Sequence, residues 1–564
     1  MVENKGWGLK MNRTELQKTL AGLTEEIELI SDVKIKSIQK TLLNLIELLV
    51  EENDTLRKEN QRLRDENNRL KGEQGKPSIR KQSNTDISSE KNRKPRGQQE
   101  KKKKSKKKKH KIKINQVQVC DIDKNQLPFD AQFKGYQSVV VQDILIQPNN
   151  TEFKKKVYYS PSLNKTFTAK LPEGYCGEFG PKIKALILDL HHTQKMTESA
   201  IHTFLTNHEI VISESTISRI LTEDQSVFYQ EKTDIVNAGL SSSICQQMDD
   251  TGARVRGINY YTHILCNAFY AAYFTRRHKN RLTIIDILTQ GKMAFEFNEI
   301  SYALMEQMNL SKKQLLRLRD KVPREVMTRS EVDALLSDLF PNPKKSGTNR
   351  QIILEASAIV AYQKLPNAIA ILLADDAPQF RQITTLLALC WVHDGRHYKK
   401  LNPVIEQHKI ALETFLTQYW EYYHRLLDYR ANPRPELAET LEQAFNALFS
   451  TQTDYDQLDK RIQKTKFKKD FLLLALKYPM IPLHNNTSEL GARAQARYRD
   501  ISYHTMSEKG TEAKDTFMTI TETAKRLAVN TYHYFYDRIS KKNEMPSLAS
   551  LIEQKGKMFS CGTG

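Results

Sequence analysis

Two apolar runs in this chain end in paired aspartates, SSSICQQMDDTG at Asp249-Asp250 and NAIAILLADD at Asp375-Asp376. A third acid, Glu489 in HNNTSELGARAQARYRD, opens a stretch with helical spacing whose Arg493, Arg497 and Arg499 fall on nearby faces. Carboxylates carried on strand ends collect at a sheet edge, where ligands bind. Their hard oxygens suit Mg²⁺, with Mn²⁺ as a substitute. Two such ions about 4 Å apart stabilise both the attacking and the leaving oxygen of a phosphodiester displacement. Acids at strand ends are also often solvated turns, so spacing alone leaves both readings open.

The elements that would position these acids follow from the pattern around them. SSSICQQMDD is expected as a short strand, INYYTHILCNAFYAAYFTRR as two more, and RLTIIDIL as a helix. NAIAILLADD and LLALCWVHD are expected as two further strands, with residues 290–365 and 401–480 helical. A strand, a hairpin, a helix and two strands with helical insertions suit an RNase H-like α/β domain over residues 240–510, followed by a C-terminal helical segment at 511–564. Cys390 and His393 are too few for a zinc site; a buried Cys beside a His that orients the site or DNA is the expectation. Trp391 is expected in the core. Arg396, His397, Lys399 and Lys400 form a basic cluster that suits either a DNA backbone or a solvated helix face.

The first half of the chain reads differently. After an N-terminal segment (1–34), residues 35–71 lack Pro and Gly and place Ile35, Leu42, Leu49, Leu56, Leu63 and Leu70 seven apart, with Ile46, Asn53, Asn60 and Asn67 four after a Leu. That is a leucine-zipper seam. Asn at successive a positions favours two parallel strands, and Glu52, Glu59 and Glu66 precede Arg57, Arg64 and Lys71 with the g-to-e spacing that pairs across a parallel homodimer. Residues 72–113 cannot bury a core and are expected to be a disordered basic linker. Between positions 71 and 113 stand 18 basic and 4 acidic residues, an excess of 14 out of a net charge of +20. Lys106, Lys107, Lys108 and Lys109 lie in its densest part, a phosphate-binding arm or a tether. A basic-zipper transcription factor would carry its cations before the zipper, not after it.

Residues 114–180 alternate apolar and polar, which predicts a small β unit. In 181–235, TESAIHTFLTNHEIVISESTISRIL reads as a helix-turn-helix whose second helix, capped by Ser213, offers Ser215, Thr216, Ser218 and Arg219 to DNA; an ordinary helical hairpin is the alternative. Six scattered cysteines without paired spacing fit a reducing compartment. No run approaches a membrane span, and the N-terminus lacks a signal-peptide core. A soluble, cytoplasmic protein associated with the bacterial nucleoid is expected.

From about Gly180 onward the sequence resembles the insertion sequence 66 family of bacterial transposases (TnpC type), and the zipper suits that family too. The family's Ala-Asp-Glu-Thr motif is matched by Met248-Asp249-Asp250-Thr251. Its Thr-Asp-Gly-Tyr and Cys-Trp-Ala-His motifs are matched by Ala374-Asp375-Asp376-Ala377 and Cys390-Trp391-Val392-His393. Its Asp-Asn-Asn with a Glu three residues on is matched by His484-Asn485-Asn486 and Glu489. The resemblance implies that Asp249, Asp375 and Glu489 are the catalytic DDE triad and ligands of two Mg²⁺ ions. Cys390, His393 and Asn486 are expected in supporting roles, and Arg396, Lys399, Arg493 and Arg499 are the candidate DNA contacts near the acids. The sequence departs from the family at His484 and Asp500, and keeps only Cys120 and Cys176 where the family carries a zinc-binding element. The implied activity is cleavage and strand transfer at double-stranded element ends by a dimer, with small accessory proteins of the same element as further partners. The alternatives are a domesticated DNA-binding protein and a DNA endonuclease on the same fold.

Overall fold

The computed structural model describes residues 32–70, 114–123, 127–223 and 225–561. Lys71 and the cluster Lys106 to Lys109 lie outside them. The chain divides into two compact units: Met1–Lys81, Pro172–Thr197 and Ser218–Gly564 form one, Gln82–Leu171 and Glu198–Ile217 the other.

The smaller unit is less sheet-like than its alternation predicts. Strands β1 (Val157–Ser160) and β2 (Lys165–Thr168) form one antiparallel hairpin, while described residues between 114 and 156 form no strand and leave Val117, Val139 and Ile144 exposed. One hairpin has no second layer on which to bury a face, so alternation alone does not build a sheet. Helix α1 (Val33–Leu70) opens the larger unit. Helices α2 (Glu198–Thr206) and α3 (Glu214–Thr222) follow the hairpin. Residues 207–213 join them, longer than the three- or four-residue turn of a helix-turn-helix.

After α4 (Ser226–Ser241), the chain builds a mixed five-stranded sheet. Strands β3 (Cys245–Val255), β4 (Ile258–Cys266) and β5 (Ala271–Arg276) form an antiparallel meander. Helix α5 (Arg281–Leu288) leads to a helical insertion that includes the small β6 (Phe295–Glu296) and β7 (Val326–Met327) pair and ends in α6 (Pro343–Gln363). Strands β8 (Ile371–Ala374) and β9 (Leu386–Leu389) then add in parallel, giving the order β5-β4-β3-β8-β9. The apolar run LLALCWVHD is not one strand. It leaves the sheet at Cys390 and becomes α7 (Trp391–Lys399), because Trp391 buries itself among Tyr419, Tyr422 and Phe445 and donates its indole N–H to the Leu472 carbonyl.

Helix α8 (Glu406–Ala431) begins a second helical insertion, which includes α9 (Asp456–Lys466). Helix α10 (Asn486–Ser502) packs on β3 and β4. Beyond it, α11 (Glu508–Leu527) covers the edge strand β5. Along α11, Asp515, Thr519 and Thr523 stand four apart and accept the N–H groups of Thr275, Tyr273 and Ala271 at 2.5, 3.1 and 3.3 Å. Helical spacing of four thereby matches strand spacing of two, and side chains take the place of a sixth strand.

Candidate active site at the strand ends

Register decides which acids face each other. Asp249 pairs with Ile264 across β3 and β4, whereas Asp250 pairs with His263. Directly opposed residues share a face, so the two aspartates point to opposite sides of the sheet. Helix α10 presses on the Asp249 side: a Cβ at Gly491 would stand 2.9 Å from the Ile264 side chain, and the Tyr273 hydroxyl donates to the Gly491 carbonyl at 3.2 Å. Only a glycine lets the helix come this close. Glu489 stands in the first turn of this helix, and its charge reaches Asp249. On the other neighbour, Gln247 is level with Leu373, and continuing that parallel register by two residues puts Asp249 level with Asp375 on one face.

The charges interact accordingly. Burial, then the charge of Asp375 and those of Asp250 and Glu489, holds the Asp249 carboxyl at about 7, against the pull of the Asp250 N–H at 2.8 Å. Burial also raises Asp375, opposed by the Ala377 N–H at 3.2 Å and by His393. Both carboxyls are thus held above the usual carboxylate range, and each disfavours ionisation of the other. Such a repelling pair of hard carboxylates is a donor set that fits a divalent cation. Glu489 is engaged differently: Arg396 donates to it at 3.2 Å and His393 Nε2 stands 3.6 Å away. Arg396 also donates to His393 Nε2 at 3.0 Å, which needs a neutral imidazole, and burial keeps the His393 pKa below its usual range. Among the described residues, no group of three or more His, Cys, Asp or Glu side chains is gathered closely enough to hold a metal ion.

Two anchors fix this arrangement. Asn485, fully buried, donates from its side chain to the Met248 carbonyl at 3.0 Å, and its own N–H meets Cys390 Sγ at 3.3 Å. The start of α10 is thus tied to the residue before Asp249 and to the end of β9. Asn485, not Asn486, carries this link; the only sequence signal for it was its place in the Asn-Asn pair. The second anchor is Asp376, which accepts from Arg381 and Lys468, each at 2.6 Å, and those bonds overcome its burial to pull its pKa down. Asp250, on the far face, accepts from Gln379 at 2.7 Å.

The remaining expected contacts are spread out. Arg396 belongs to the acid cluster itself. Lys399 is exposed and Arg493 half-buried, while Arg499 donates to the Gly252 carbonyl at 2.8 Å and so braces α10 on β3. Ser213, Ser215 and Arg219 are exposed, Thr216 and Ser218 half-buried; Ser213 Oγ caps α3 by accepting the Thr216 N–H at 3.2 Å.

Residues 357–513 match the family model described as transposase IS66 family, a span that includes Asp375 and Glu489 but stops short of Asp249. An uncharacterized protein, y4jO, from Sinorhizobium fredii is 29% identical over 329 residues, covering 57% of this chain and 100% of that protein. No solved structure matches. No helix among the described residues is long and apolar enough to cross a membrane.

Proposed function

We propose, from the IS66-family transposase domain that residues 357–513 carry, that this chain is the DNA transposase of a bacterial insertion sequence. In this reading it acts on double-stranded element ends with an RNase H-like catalytic core. The observation that carries the proposal is that Asp249 on β3 and Asp375, the residue just after the parallel neighbour β8, feel each other's charge while the helix of Glu489 packs on the Asp249 face. The strand order β5-β4-β3-β8-β9, with β4, second from one edge, the one strand antiparallel to the other four, supports the RNase H-like assignment.

Asp249, Asp375 and Glu489 would hold two Mg²⁺ ions, which when bound supply Lewis-acid stabilisation to the attacking and leaving oxygens. Asn485 and Gly491 set the depth of Glu489 over the sheet. Arg396 and His393 hold its carboxylate until cation and DNA compete for it. Lys399 and Arg493 extend the positive surface toward the phosphates, and the exposed residues of α3 with the basic arm give further DNA contacts. Pairing of α1 with a second copy would make the dimer: a helix advances 100° per residue, so the seam of Leu42, Leu49, Leu56 and Leu63 is turned roughly 130° from the face of α1 that packs on its own core. All four leucines are exposed.

Purified full-length protein with Mg²⁺ and the DNA flanking its own gene tests the proposal. Asp249→Asn, Asp375→Asn and Glu489→Gln are each expected to abolish cleavage and strand transfer while DNA binding and melting temperature stay near wild type. Asp250→Asn, which changes the opposite face, is expected to retain activity. Full activity of Glu489→Gln would sink the three-carboxylate site. Cleavage without joining would reassign the protein as an endonuclease.

A further inference from the structure

On the sheet face opposite the three acids, a cavity of about 1490 Å³ opens along β9, where Leu387 and Leu389 form part of its wall. Its volume exceeds the roughly 300–1,000 Å³ of pockets that hold a single small molecule. Asp376 lines it near the strand ends, and its aliphatic floor comes from the buried Ile352, Ile359 and Val360. The far rim is the turn after α9, with the sequence Lys464-Thr-Lys-Phe-Lys-Lys-Asp-Phe471. Phe467 in that turn is 85% exposed, and Phe471 is 42% exposed.

A large ring held out in water is ordinary when it stands alone. This one is flanked in the chain by Lys464, Lys466, Lys468 and Lys469, of which Lys464 and Lys468 line the cavity with it. Lys468 and Lys469 are paired with Asp376 and Glu442 at 2.6 and 2.7 Å, which fixes their positions near the ring. Lys464 forms no ion pair among the described residues, and Lys466 donates only to the neutral Ser450 Oγ, at 2.9 Å. An aromatic face flanked by cations matches one kind of ligand: a nucleic acid strand whose bases are free to stack while its phosphates meet the ammonium groups. A duplex keeps its bases stacked on each other and offers the ring nothing but an edge.

We propose that the rim around Phe467 and the cavity behind it bind unpaired nucleotides of a DNA strand that has left its duplex next to the catalytic strand ends. The inference rests on the transposase reading for its biological setting, but the binding itself does not depend on catalysis. Phe467 stacks with a base, Lys464 and Lys466 meet the adjoining phosphates, and the apolar floor accepts a second base.

The test compares full-length wild type, Phe467→Ala and Phe467→Trp by fluorescence anisotropy with a labelled single-stranded oligo-dT and with a duplex of equal length. The basic arm binds both probes in every variant, so titrations at low and at raised salt are needed: its contribution falls steeply with salt, while stacking does not. At raised salt Phe467→Ala is expected to bind oligo-dT about tenfold or more weakly, with duplex affinity unchanged and Phe467→Trp at least as tight as wild type. Oligo-dT affinity unchanged in Phe467→Ala would overturn the proposal, as would an equal loss for both probes. Dependence of cleavage on Asp249 is measured separately. A failed oligo-dT result with cleavage still abolished in Asp249→Asn removes this site alone, and a positive one with active Asp249→Asn removes the catalytic assignment alone.

Discussion

Gly491 is the residue on which the geometry of Glu489 turns. On an open helix face, Gly→Ala stabilises by up to about 1 kcal/mol. At Gly491 the new methyl would meet the fully buried Ile264 side chain at 2.9 Å, so the sign should reverse, with a loss of roughly 1–3 kcal/mol and a fall in cleavage larger than the lost stability explains. Chemical denaturation and a cleavage assay check this, and Ile264→Ala in the same chain should restore part of both. A second group of buried residues sets the response to acid. His192 is fully buried, stacks on Phe517 at 4.4 Å, and has no partner for either ring nitrogen among the described residues; burial holds its pKa well below 6.5. Burial likewise holds His191 at about 4. The unfolded chain takes up these protons below about 6.5 and the folded chain does not, so the two histidines each withdraw roughly 1.4 kcal/mol of stability per unit as pH drops from 6.5 toward 4, against the opposite contribution of Asp249 and Glu231, which burial holds at about 7. His192→Phe keeps the stacking and should lower that slope by one such increment in urea titrations at pH 6 and 5. An unchanged slope would mean that His192 is not the titrating group. The acids themselves were legible in the sequence, because apolar runs ending in Asp-Asp are conspicuous. Asn485 and Gly491 were not, since their importance is a matter of distance to β3 and β4, which no local spacing encodes.

Among the elements, α1 departs most from its sequence reading. Its heptad pattern is that of a zipper helix, and the helix forms over Val33–Leu70, but the stretch from Lys40 to Glu51 also packs on the rest of the larger unit. Leu43, with Ile46 and Val50, packs on Val404 and Ile405. Glu47, 4% exposed, accepts the Val404 and Ile405 N–H groups at 2.8 Å each, at the start of α8. A carboxylate there satisfies orphan donors and meets the positive end of the helix dipole. Ile46, counted as an a position, is therefore partly spent on the protein's own core. The heptad count misses this because a buried Glu looks the same in sequence as a solvated one. Glu47→Ala should cost on the order of 3 kcal/mol and speed amide hydrogen exchange in residues 40–51 while the strands stay protected. Equal exchange in the variant would show that Glu47 does not hold the helix down. The β5 edge illustrates the same limit: TITETAKRL reads as an amphipathic helix, yet the threonines that look like its polar face are buried against a strand.

At the scale of the whole molecule, the double use of α1 decides how dimerisation should be tested. Deleting residues 1–72 would remove both the seam and the docked face, and so would confuse loss of pairing with loss of folding. Leu56→Lys with Leu63→Lys touches only exposed seam positions and should turn a dimer into a monomer by light scattering, with the melting temperature of the core unchanged. A mass that stays dimeric would move the interface elsewhere. The sealing of β5 has a consequence for synthesis. Its covering side chains lie 240 to 252 residues further along the chain than the backbone groups they bond. At about 5–20 residues per second, a ribosome leaves that strand edge open for roughly 10–50 seconds after it has emerged. A product that stops near residue 505, through a frameshift or an early stop codon, would retain Asp249, Asp375 and Glu489 and still expose an unpaired strand edge for good. Such a fragment should collect in inclusion bodies or bind chaperones, so that only ribosomes that read through α11 release a chain whose sheet edge is sealed.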